Sequence, residues 1–280
     1  MKPQATHVGL REAAELLGVH YMTVYRYART GRLPAERVGA AWRVATADLE
    51  RFRTPHDLAT ATRDPQPRRP ARLLDRMTAG DEAGSWSIVE EALTSGATAN
   101  EVYVDLLVPA LRTIGTRWEQ GQLSVAAEHR ASAVATRIVG RLGPMFARRG
   151  LSRGAVVLGA PEGDLHALPC AIVADILRGR GFEVLDLGAN TPVGSFVESA
   201  QGTNRLIAII VGVSSVDSLK RLPEIAIAVR AAAPATPLLF GGGAIGDQSR
   251  AIHLGADGWS GAHASSVVDA VEEIASRSTS

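Results

Sequence analysis

The chain has 280 residues, 46% of them hydrophobic and 21% charged, and its formal net charge is +1. This length and composition are typical of a globular protein with a large buried core and two or three domains. No apolar run approaches the roughly 18 residues that a membrane-spanning helix needs, and the first residues lack the apolar core of a signal peptide. The sequence therefore predicts a cytoplasmic protein with no membrane partner.

The charge is unevenly distributed along the chain. Residues 1–72 contain 13 basic and 7 acidic residues, whereas the remaining residues contain 17 basic and 22 acidic ones. A small basic segment next to an acidic body is the pattern expected of a phosphate-binding module. The sequence therefore indicates nucleic acid as a partner of the N-terminal part.

Residues 9–53 are predicted to form this module. Apolar residues at helical spacing from Leu10 to Leu17 predict a first helix, and a second helix follows. A hairpin that turns at Gly39-Ala40 and a closing helix complete the unit. A recognition helix needs side chains that reach base edges, with cations nearby that hold phosphates. The predicted DNA contacts are Thr23, Arg26, Tyr27, Arg29 and Arg43.

The composition changes after this unit. Residues 55–70 contain four prolines and few large apolar residues, which predicts a linker. Residues 71–150 contain four amphipathic segments punctuated by glycines, which predicts a four-helix bundle. The predicted helices are residues 72–79, 85–95, 100–120 and 124–149.

Residues 151–280 alternate between short apolar runs and amphipathic segments. This alternation predicts a doubly wound parallel sheet with helices on both faces. The predicted strands are residues 155–159, 183–187, 206–213, 237–240 and 256–259. The predicted helices are residues 171–180, 193–201, 218–232, 245–254 and 265–276.

The sequence Asp164-Leu165-His166 follows the first predicted strand of this sheet. Ligands of doubly wound sheets bind at the carboxyl ends of the strands, near the point where the strand order reverses. A carboxylate next to an imidazole fixes its tautomer and raises its basicity, as the partners of metal-ligating histidines do. In isolation the same pair is also typical of a polar helix start, so these residues alone leave both interpretations open.

The N-terminal segment resembles the winged helix-turn-helix of MerR-type and excisionase-type regulators. The resemblance is carried by residues 10–19, by residues 23–27 and by residues 31–34. It implies a DNA-binding domain over residues 1–54 with double-stranded operator DNA as its partner. A small helical domain with a solvated basic face is the alternative interpretation.

The helical segment carries a second resemblance. Trp118 is followed ten residues later by Glu128-His129, and this unit resembles the helical cap of cobalamin-binding modules. We call residues 1–54 the head, residues 71–150 the cap and residues 151–280 the sheet domain. This order is similar to that of light-sensing, cobalamin-dependent MerR-type repressors of carotenoid genes. The resemblance implies that Trp118 covers the upper adenosyl group of the cofactor and that Glu128 and His129 line its pocket.

Residues 162–169 resemble the Asp-x-His-x-x-Gly signature of domains that bind cobalamin with its own base displaced. The resemblance implies that His166 is the lower cobalt ligand and that Asp164 hydrogen-bonds its other nitrogen. It also implies that the nucleotide tail of the cofactor enters a slot in the sheet that is lined by small residues. These residues are Ser214, Ser215, Gly241, Gly242 and Gly243.

Two positions depart from the family pattern. Pro169 replaces the glycine that ends the signature, which adds bulk near the corrin but suits the first turn of a helix. Glu119 replaces the histidine that follows the cap tryptophan in several light-sensing relatives and binds cobalt after photolysis. A bis-histidine photoproduct formed by that route is therefore not expected, although His129 is an alternative ligand.

Other motifs are interpreted as structural. The residues Gly241 to Gly246 match a dinucleotide fingerprint formally, but they follow the fourth predicted strand and fail the requirement for an acidic residue about 20 positions later. We therefore predict no nicotinamide or flavin site. Cys170 lies in an apolar helix pattern and is predicted to be a buried structural thiol. His253 and His263 are predicted to be surface or structural residues.

The resemblance implies a transcriptional regulator, not an enzyme, that binds adenosylcobalamin and assembles on operator DNA as a homo-oligomer, a dimer or tetramer. Light would break the cobalt–carbon bond and dissociate the assembly. Two alternatives remain: a light-independent regulator that binds heme, a bilin or no ligand, and a corrinoid protein of a methyltransferase system. The predicted fold is multidomain: a winged helix-turn-helix (1–54), a linker (55–70), a four-helix bundle cap (71–150) and a Rossmann-like α/β domain (151–280).

Overall fold

A computed structural model describes residues 7–17, 24–25, 27–28, 33–39, 41–53, 68–148 and 150–277. The chain divides into two compact units, Met1–Leu123 and Ser124–Ser280. Within the described ranges, no helix combines the length and the hydropathy needed to cross a membrane.

The N-terminal part contains a three-stranded antiparallel sheet in the order β1–β3–β2. Its strands are β1 (His7–Gly9), β2 (Glu36–Val38) and β3 (Ala41–Ala45). The predicted hairpin is confirmed, because Val38 pairs with Ala41 across a turn in which Gly39 has a φ of 64°. A positive φ at this position suits glycine. Strand β1, which has only three residues, was not predicted from the sequence.

Helices α1 (Leu10–Leu17) and α2 (Thr46–Arg53) pack with this sheet, and residues 24–25 and 27–28 are also helical. The apolar spacing of α1 places Leu10, Ala13 and Ala14 on one buried face, as the pattern predicted. They join a small core formed by Val8, Leu10, Ala13, Ala14, Val24, Ala28, Leu33, Val44 and Leu49.

The rest of the first unit is helical. Its helices are α3 (Arg68–Ala79), α4 (Glu82–Thr94), α5 (Ala99–Val102) and α6 (Val108–Glu119). Helix α3 begins at Arg68, so residues 68–70 are helical although they were predicted as linker. The physical reason is that Pro70 lies in the first helical turn, where its missing N–H would have no partner in any case.

A π-helical turn, Tyr103–Leu107, interrupts the long helix that was predicted over residues 100–120. The backbone N–H of Val108 donates to the carbonyl oxygen of Tyr103, five residues earlier. Pro109 explains the interruption, because proline cannot donate to the preceding turn and its ring clashes with the carbonyl four residues earlier. The Tyr103 side chain is fully buried, which anchors the turn.

The second unit begins with α7 (Val125–Leu142), which packs against α8 (Ala167–Gly179). Ser124 caps α7 by accepting a hydrogen bond from the backbone of Ala127. Because α7 packs against α8, it is grouped with the sheet, although it was predicted as the fourth helix of the bundle. The two compact units divide after Leu123. The later helices are α8 (Ala167–Gly179), α9 (Val193–Gly202), α10 (Leu222–Ala232), α11 (Gln248–His253) and α12 (Ala264–Arg277).

The second unit contains a five-stranded parallel sheet in the order β5–β4–β6–β7–β8. Its strands are β4 (Ala155–Gly159), β5 (Glu183–Asp186), β6 (Leu206–Gly212), β7 (Leu238–Gly241) and β8 (Gly258–Trp259). All five lie within a residue or two of the predicted strands, and the doubly wound prediction is confirmed. This strand order places the switch point between β4 and β6, where ligands of such sheets bind.

Candidate cofactor-binding site

The loops that follow β4 and β6 meet at the switch point. The β4–α8 loop carries Asp164 and His166, and the loop after β6 carries Ser214 and Ser215. One carboxylate oxygen of Asp164 (Oδ2) accepts hydrogen bonds from the backbone N–H groups of Ser214, at 2.7 Å, and Ser215, at 3.0 Å. The structure therefore brings the predicted ligand His166 and its partner Asp164 together with Ser214 and Ser215 of the predicted slot.

Asp164 is fully buried, and both of its carboxylate oxygens accept hydrogen bonds. Its Oδ1 atom accepts from the backbone N–H of His166 and lies 2.7 Å from Nδ1 of the same imidazole. Burial by itself raises the pKa of this carboxyl, but the bonds from His166, Ser215 and Ser214 outweigh it and leave the pKa below its ordinary value. Asp164 is therefore an ionised, fully satisfied acceptor.

His166 is held at the N-cap of α8 with its ring 58% exposed. Because a carboxylate only accepts hydrogen bonds, the Nδ1 atom carries the proton that faces Asp164. The neutral ring then has its lone pair on Nε2, which has no hydrogen-bond partner among the described residues. The hydrogen bond to Asp164 is the main cause that raises the pKa of His166; burial opposes it, and the charges of Asp164 and Glu128 add to it.

The pKa of His166 should depend on Asp164. In an Asp164→Asn variant the raising influence of the carboxylate is lost while burial remains, so we expect this pKa to fall relative to the wild type. In the wild-type chain the raised pKa contributes stability that is complete below pH 6.5 and is lost as the pH rises through the raised pKa. An NMR titration of the ring in the cofactor-free protein checks this; an unchanged pKa would contradict it.

Glu128 lies in the first turn of α7 and His129 follows it, in the same unit as His166. Oε1 of Glu128 accepts a hydrogen bond from the Ser132 hydroxyl at 2.6 Å, and its Oε2 lies 2.9 Å from Nδ1 of His129. The predicted pair therefore forms a contact of its own, and the His129 ring is largely exposed. Trp118, which belongs to the first unit, lies in the last turn of α6 and is 45% exposed. Its predicted role over a cofactor stays a prediction.

Gly241, the last residue of β7, and Gly242, which follows it, are glycines for reasons that the sequence did not reveal. A methyl group on Gly241 would overlap the Ser260 hydroxyl, and one on Gly242 would overlap the Val213 carbonyl oxygen. Neighbouring protein atoms therefore already exclude a side chain at these two positions, and their predicted place in a slot for the cofactor tail stays a prediction. At Gly243 a methyl group would meet no atom within 4 Å, so only this glycine faces open space.

The two kinds of glycine predict different outcomes on substitution. Gly242 has a φ of 94° and no room for a side chain, so Gly242→Ala should lower the free energy of unfolding by about 2–4 kcal/mol. Gly243→Ala is the matched control and should change it by less than about 0.5 kcal/mol. Urea unfolding of both variants measures the difference, and equal effects would contradict this explanation.

Other predicted residues have clear positions. Pro169 is exposed in the first turn of α8, as expected for a proline at a helix start. Cys170 is buried, and this burial, with the charges of Asp186 and Asp164, raises its pKa to about 12, which confirms the structural thiol. His253 and His263 are both exposed. Glu119 ends α6.

The predicted DNA contacts are only partly covered by the structure. Thr23, Arg26 and Arg29 lie outside the described residues. Tyr27 is helical and packs, partly buried, against the core of the head. Arg43 is exposed on β3, opposite Gly9 and Glu36. The role of all five in DNA binding stays a prediction.

The donor set and the surroundings of His166 fit a cobalamin. A metal that brings four nitrogen ligands in a macrocycle needs only one imidazole from the protein, and Nε2 of His166 is available for it. Leu165 and Val216, which follow Asp164 and Ser215 in the two loops, are 76% and 66% exposed, which suits an apolar macrocycle face. The Ser218 hydroxyl beside Gly163 is buried and has no hydrogen-bond partner among the residues described.

The fold and site define a doubly wound domain with an imidazole presented by a buried carboxylate, preceded by helices and a small basic head. Comparison with known families agrees with this class. Models described as "B12 binding domain" match residues 71–142 and 154–269, and a helix-turn-helix domain model matches residues 8–56. Cobalamin binding and an N-terminal helix-turn-helix are supported by these matches.

Several curated proteins are similar to this chain. Trimethylamine corrinoid protein 1 of Methanosarcina acetivorans is 32% identical over 134 residues, which are 47% of this chain and 62% of that protein. A corrinoid protein of Desulfitobacterium hafniense is 29% identical over 71% of this chain and 94% of its own length. The monomethylamine corrinoid protein of Methanosarcina barkeri has a similar fold, with a TM-score of 0.63 at 20% identity, over 72% of this chain and 96% of that one.

Some contacts at the site were not predicted from the sequence. Asn190, in the loop between β5 and α9, hydrogen-bonds the loop that carries His166. Glu162 forms an exposed ion pair with Arg221 at 3.2 Å. The sequence signal for the Asn190 contact is an asparagine in the turn-forming run Gly188-Ala-Asn-Thr-Pro192. Many turns have this composition, so it does not single out Asn190.

Proposed function

We propose that this protein binds a cobalamin through His166 and that the bound state controls DNA binding by the N-terminal head. The observation that carries the first half is the buried Asp164 carboxylate, which presents the imidazole with Nε2 free for a metal. Metal-ligating histidines are oriented in this way by carboxylate partners. When bound, a cobalamin would supply a cobalt–carbon bond that can be cleaved, and His166 would hold it through Nε2.

The regulatory half rests on the head. A helix-turn-helix model matches residues 8–56, and this part of the chain is basic while the remainder is acidic. A cofactor shifts a protein toward the state that it binds more tightly, and assembly of several heads multiplies weak affinities for DNA. Adenosylcobalamin as the bound form, a dimer or tetramer as the assembly and light as the signal belong to this proposal.

The relatives favour a second candidate more directly. Most of the curated proteins similar to this chain are named as corrinoid proteins, among them trimethylamine corrinoid proteins of three Methanosarcina species. By this likeness the chain would carry a methyl group for a partner methyltransferase. A carrier alone has no use for a helix-turn-helix head, and this is why we place regulation first.

Electrophoretic mobility shift with the purified full-length protein separates the two candidates. The DNA is the region upstream of its own gene, and the protein is tested without cofactor, with adenosylcobalamin in the dark and after green illumination. A dark shift that requires adenosylcobalamin, with a larger species on gel filtration, is expected for the regulator. Binding of methylcobalamin without any DNA shift is the result expected for a methyl carrier. Loss of the adenosyl spectrum on illumination, with unchanged assembly and DNA affinity, would reject light as the signal.

Arg43 allows a test of the head itself. It is exposed on β3 and lies next to the hairpin turn, where a cation would contact a phosphate. Arg43→Ala should weaken DNA binding about three- to tenfold on all sequences. It should also reduce the slope of the logarithm of the binding constant against the logarithm of the salt concentration by about one. Arg250→Ala, an exposed arginine of the sheet domain, is the control and should change neither. Equal affinities of the two variants for DNA would contradict a contact between Arg43 and the DNA backbone.

A further inference from the structure

Asn190 has an unusual backbone conformation next to the candidate site. Its φ is 54°, and among the described residues only Asn190 and Arg205 are non-glycine residues with a positive φ. Asparagine tolerates this left-handed region better than most residues because its short polar side chain bonds locally. Asn190 follows β5, the strand that neighbours β4, so it lies at the carboxyl edge of the sheet beside the loop that carries His166.

Asn190 holds the Gly163–Asp164 segment at both of its ends, through the Gly163 N–H and the Asp164 carbonyl oxygen. Its Oδ1 accepts a hydrogen bond from the Gly163 N–H at 2.9 Å. Its own backbone N–H donates to the Asp164 carbonyl oxygen at 2.8 Å. The neighbouring Thr191 continues the pairing, because its N–H donates to the Ala160 carbonyl oxygen at 2.9 Å.

This arrangement matters because the preceding residue, Gly163, has wide conformational freedom. Gly163 adopts a φ of 89°, and a glycine fixes the next residue poorly unless its neighbours hold it. The position of Asp164 must be narrowly constrained, because its carboxylate hydrogen-bonds both the His166 ring and two backbone amides of another loop. The ion pair between Glu162 and Arg221 is exposed on both sides, so it contributes little to that placement.

We infer that Asn190 is a positioning residue for the His166 ligand, acting through its hydrogen bonds to the two ends of the Gly163–Asp164 segment. This inference deepens the proposed function and rests on it. No contact between Asn190 and a cofactor is involved: the residue acts on the loop before any ligand arrives. The imidazole is therefore presented in a fixed orientation in the cofactor-free protein.

The test compares four full-length proteins: wild type, Asn190→Gly, Asn190→Asp and Arg205→Gly. Glycine at position 190 permits the positive φ but removes Oδ1, whereas aspartate retains an acceptor in a residue that tolerates this conformation. Arg205→Gly makes the matching change at a φ of 53°, before the amino end of β6, which is the end remote from Ser214. The measurements are amide hydrogen exchange without cofactor and affinity for methylcobalamin by absorbance titration.

We expect Asn190→Gly to accelerate exchange of the Gly163 amide and to weaken methylcobalamin binding about tenfold, the lower end of the loss seen when partners of metal ligands are removed. Asn190→Asp should restore affinity to within about threefold, and Arg205→Gly should match the wild type. If the wild type binds methylcobalamin and Asn190→Gly binds it equally tightly, the inference about Asn190 is overturned while the proposed function stands. A wild type that binds no cobalamin would overturn the proposed function, and the inference with it.

Discussion

His166→Ala is expected to weaken cobalamin binding about 100-fold and to remove the protein nitrogen from cobalt. Loss of a partner of a metal ligand costs 10- to 100-fold in affinity, and loss of the ligand itself should reach at least the upper end of that range. The bound cofactor should then show the absorption spectrum of a cobalamin without a lower protein ligand. Absorbance titration in the dark measures both changes.

The His166 substitution is a fair test because it should leave the fold intact. The ring is 58% exposed and makes no capping hydrogen bond to α8. Three backbone N–H groups still satisfy Asp164 after the ring is removed. His253→Ala, an exposed histidine on α11, is the matched control and should bind like the wild type. Equal affinity and spectrum of the His166 and His253 variants would show that His166 is no ligand.

Asp164→Ala is expected to have the second large effect, on both stability and binding. Asp164 is fully buried and accepts bonds from the amides of Ser214, Ser215 and His166, so its removal leaves these donors unsatisfied. The free energy of unfolding should fall by about 2–4 kcal/mol. Cobalamin affinity should fall about 10- to 100-fold, because the imidazole loses the partner that orients it. Urea unfolding and absorbance titration measure the two losses.

The stabilisation by Asp164 should also decrease at low pH. Its pKa lies below the ordinary value of 3.8, so its contribution is complete above that value and is lost as the pH falls through the lowered pKa. Asp217→Ala, an exposed acidic residue in the turn after Ser215, is the control and should unfold like the wild type. Equal stabilities of the Asp164 and Asp217 variants at neutral pH would contradict the structural role of the network.

The strands of the sheet could be predicted from the sequence because each is a short apolar run. Residues buried on both faces of a parallel sheet give a continuous signal, and β4 and β7 are buried throughout. The pair Asp164 and His166 was also visible, since both residues lie in one short loop after the first strand. Their contact needs no distant part of the chain.

The parts that escaped prediction depend on distant contacts or on local exceptions. Asn190 reaches Gly163 only because β4 and β5 pair, which brings residues 27 positions apart together. The π-turn before Pro109 arises from a steric conflict inside a segment whose apolar spacing remains helical. Gly241 and Gly242 are small because of Ser260 and Val213, which no local pattern relates to them.

The most direct measurement of the central claim is an electron paramagnetic resonance spectrum of the reduced, cobalt(II) form of bound cobalamin in protein labelled with 15N-histidine. The nuclear spins of 14N and 15N differ, so the nitrogen below cobalt splits each line into three or into two, respectively. Ligation by His166 predicts the twofold splitting in the labelled wild type and its loss in His166→Ala. A threefold splitting in the labelled protein would show that the cofactor's own base still binds cobalt, and the account would be wrong.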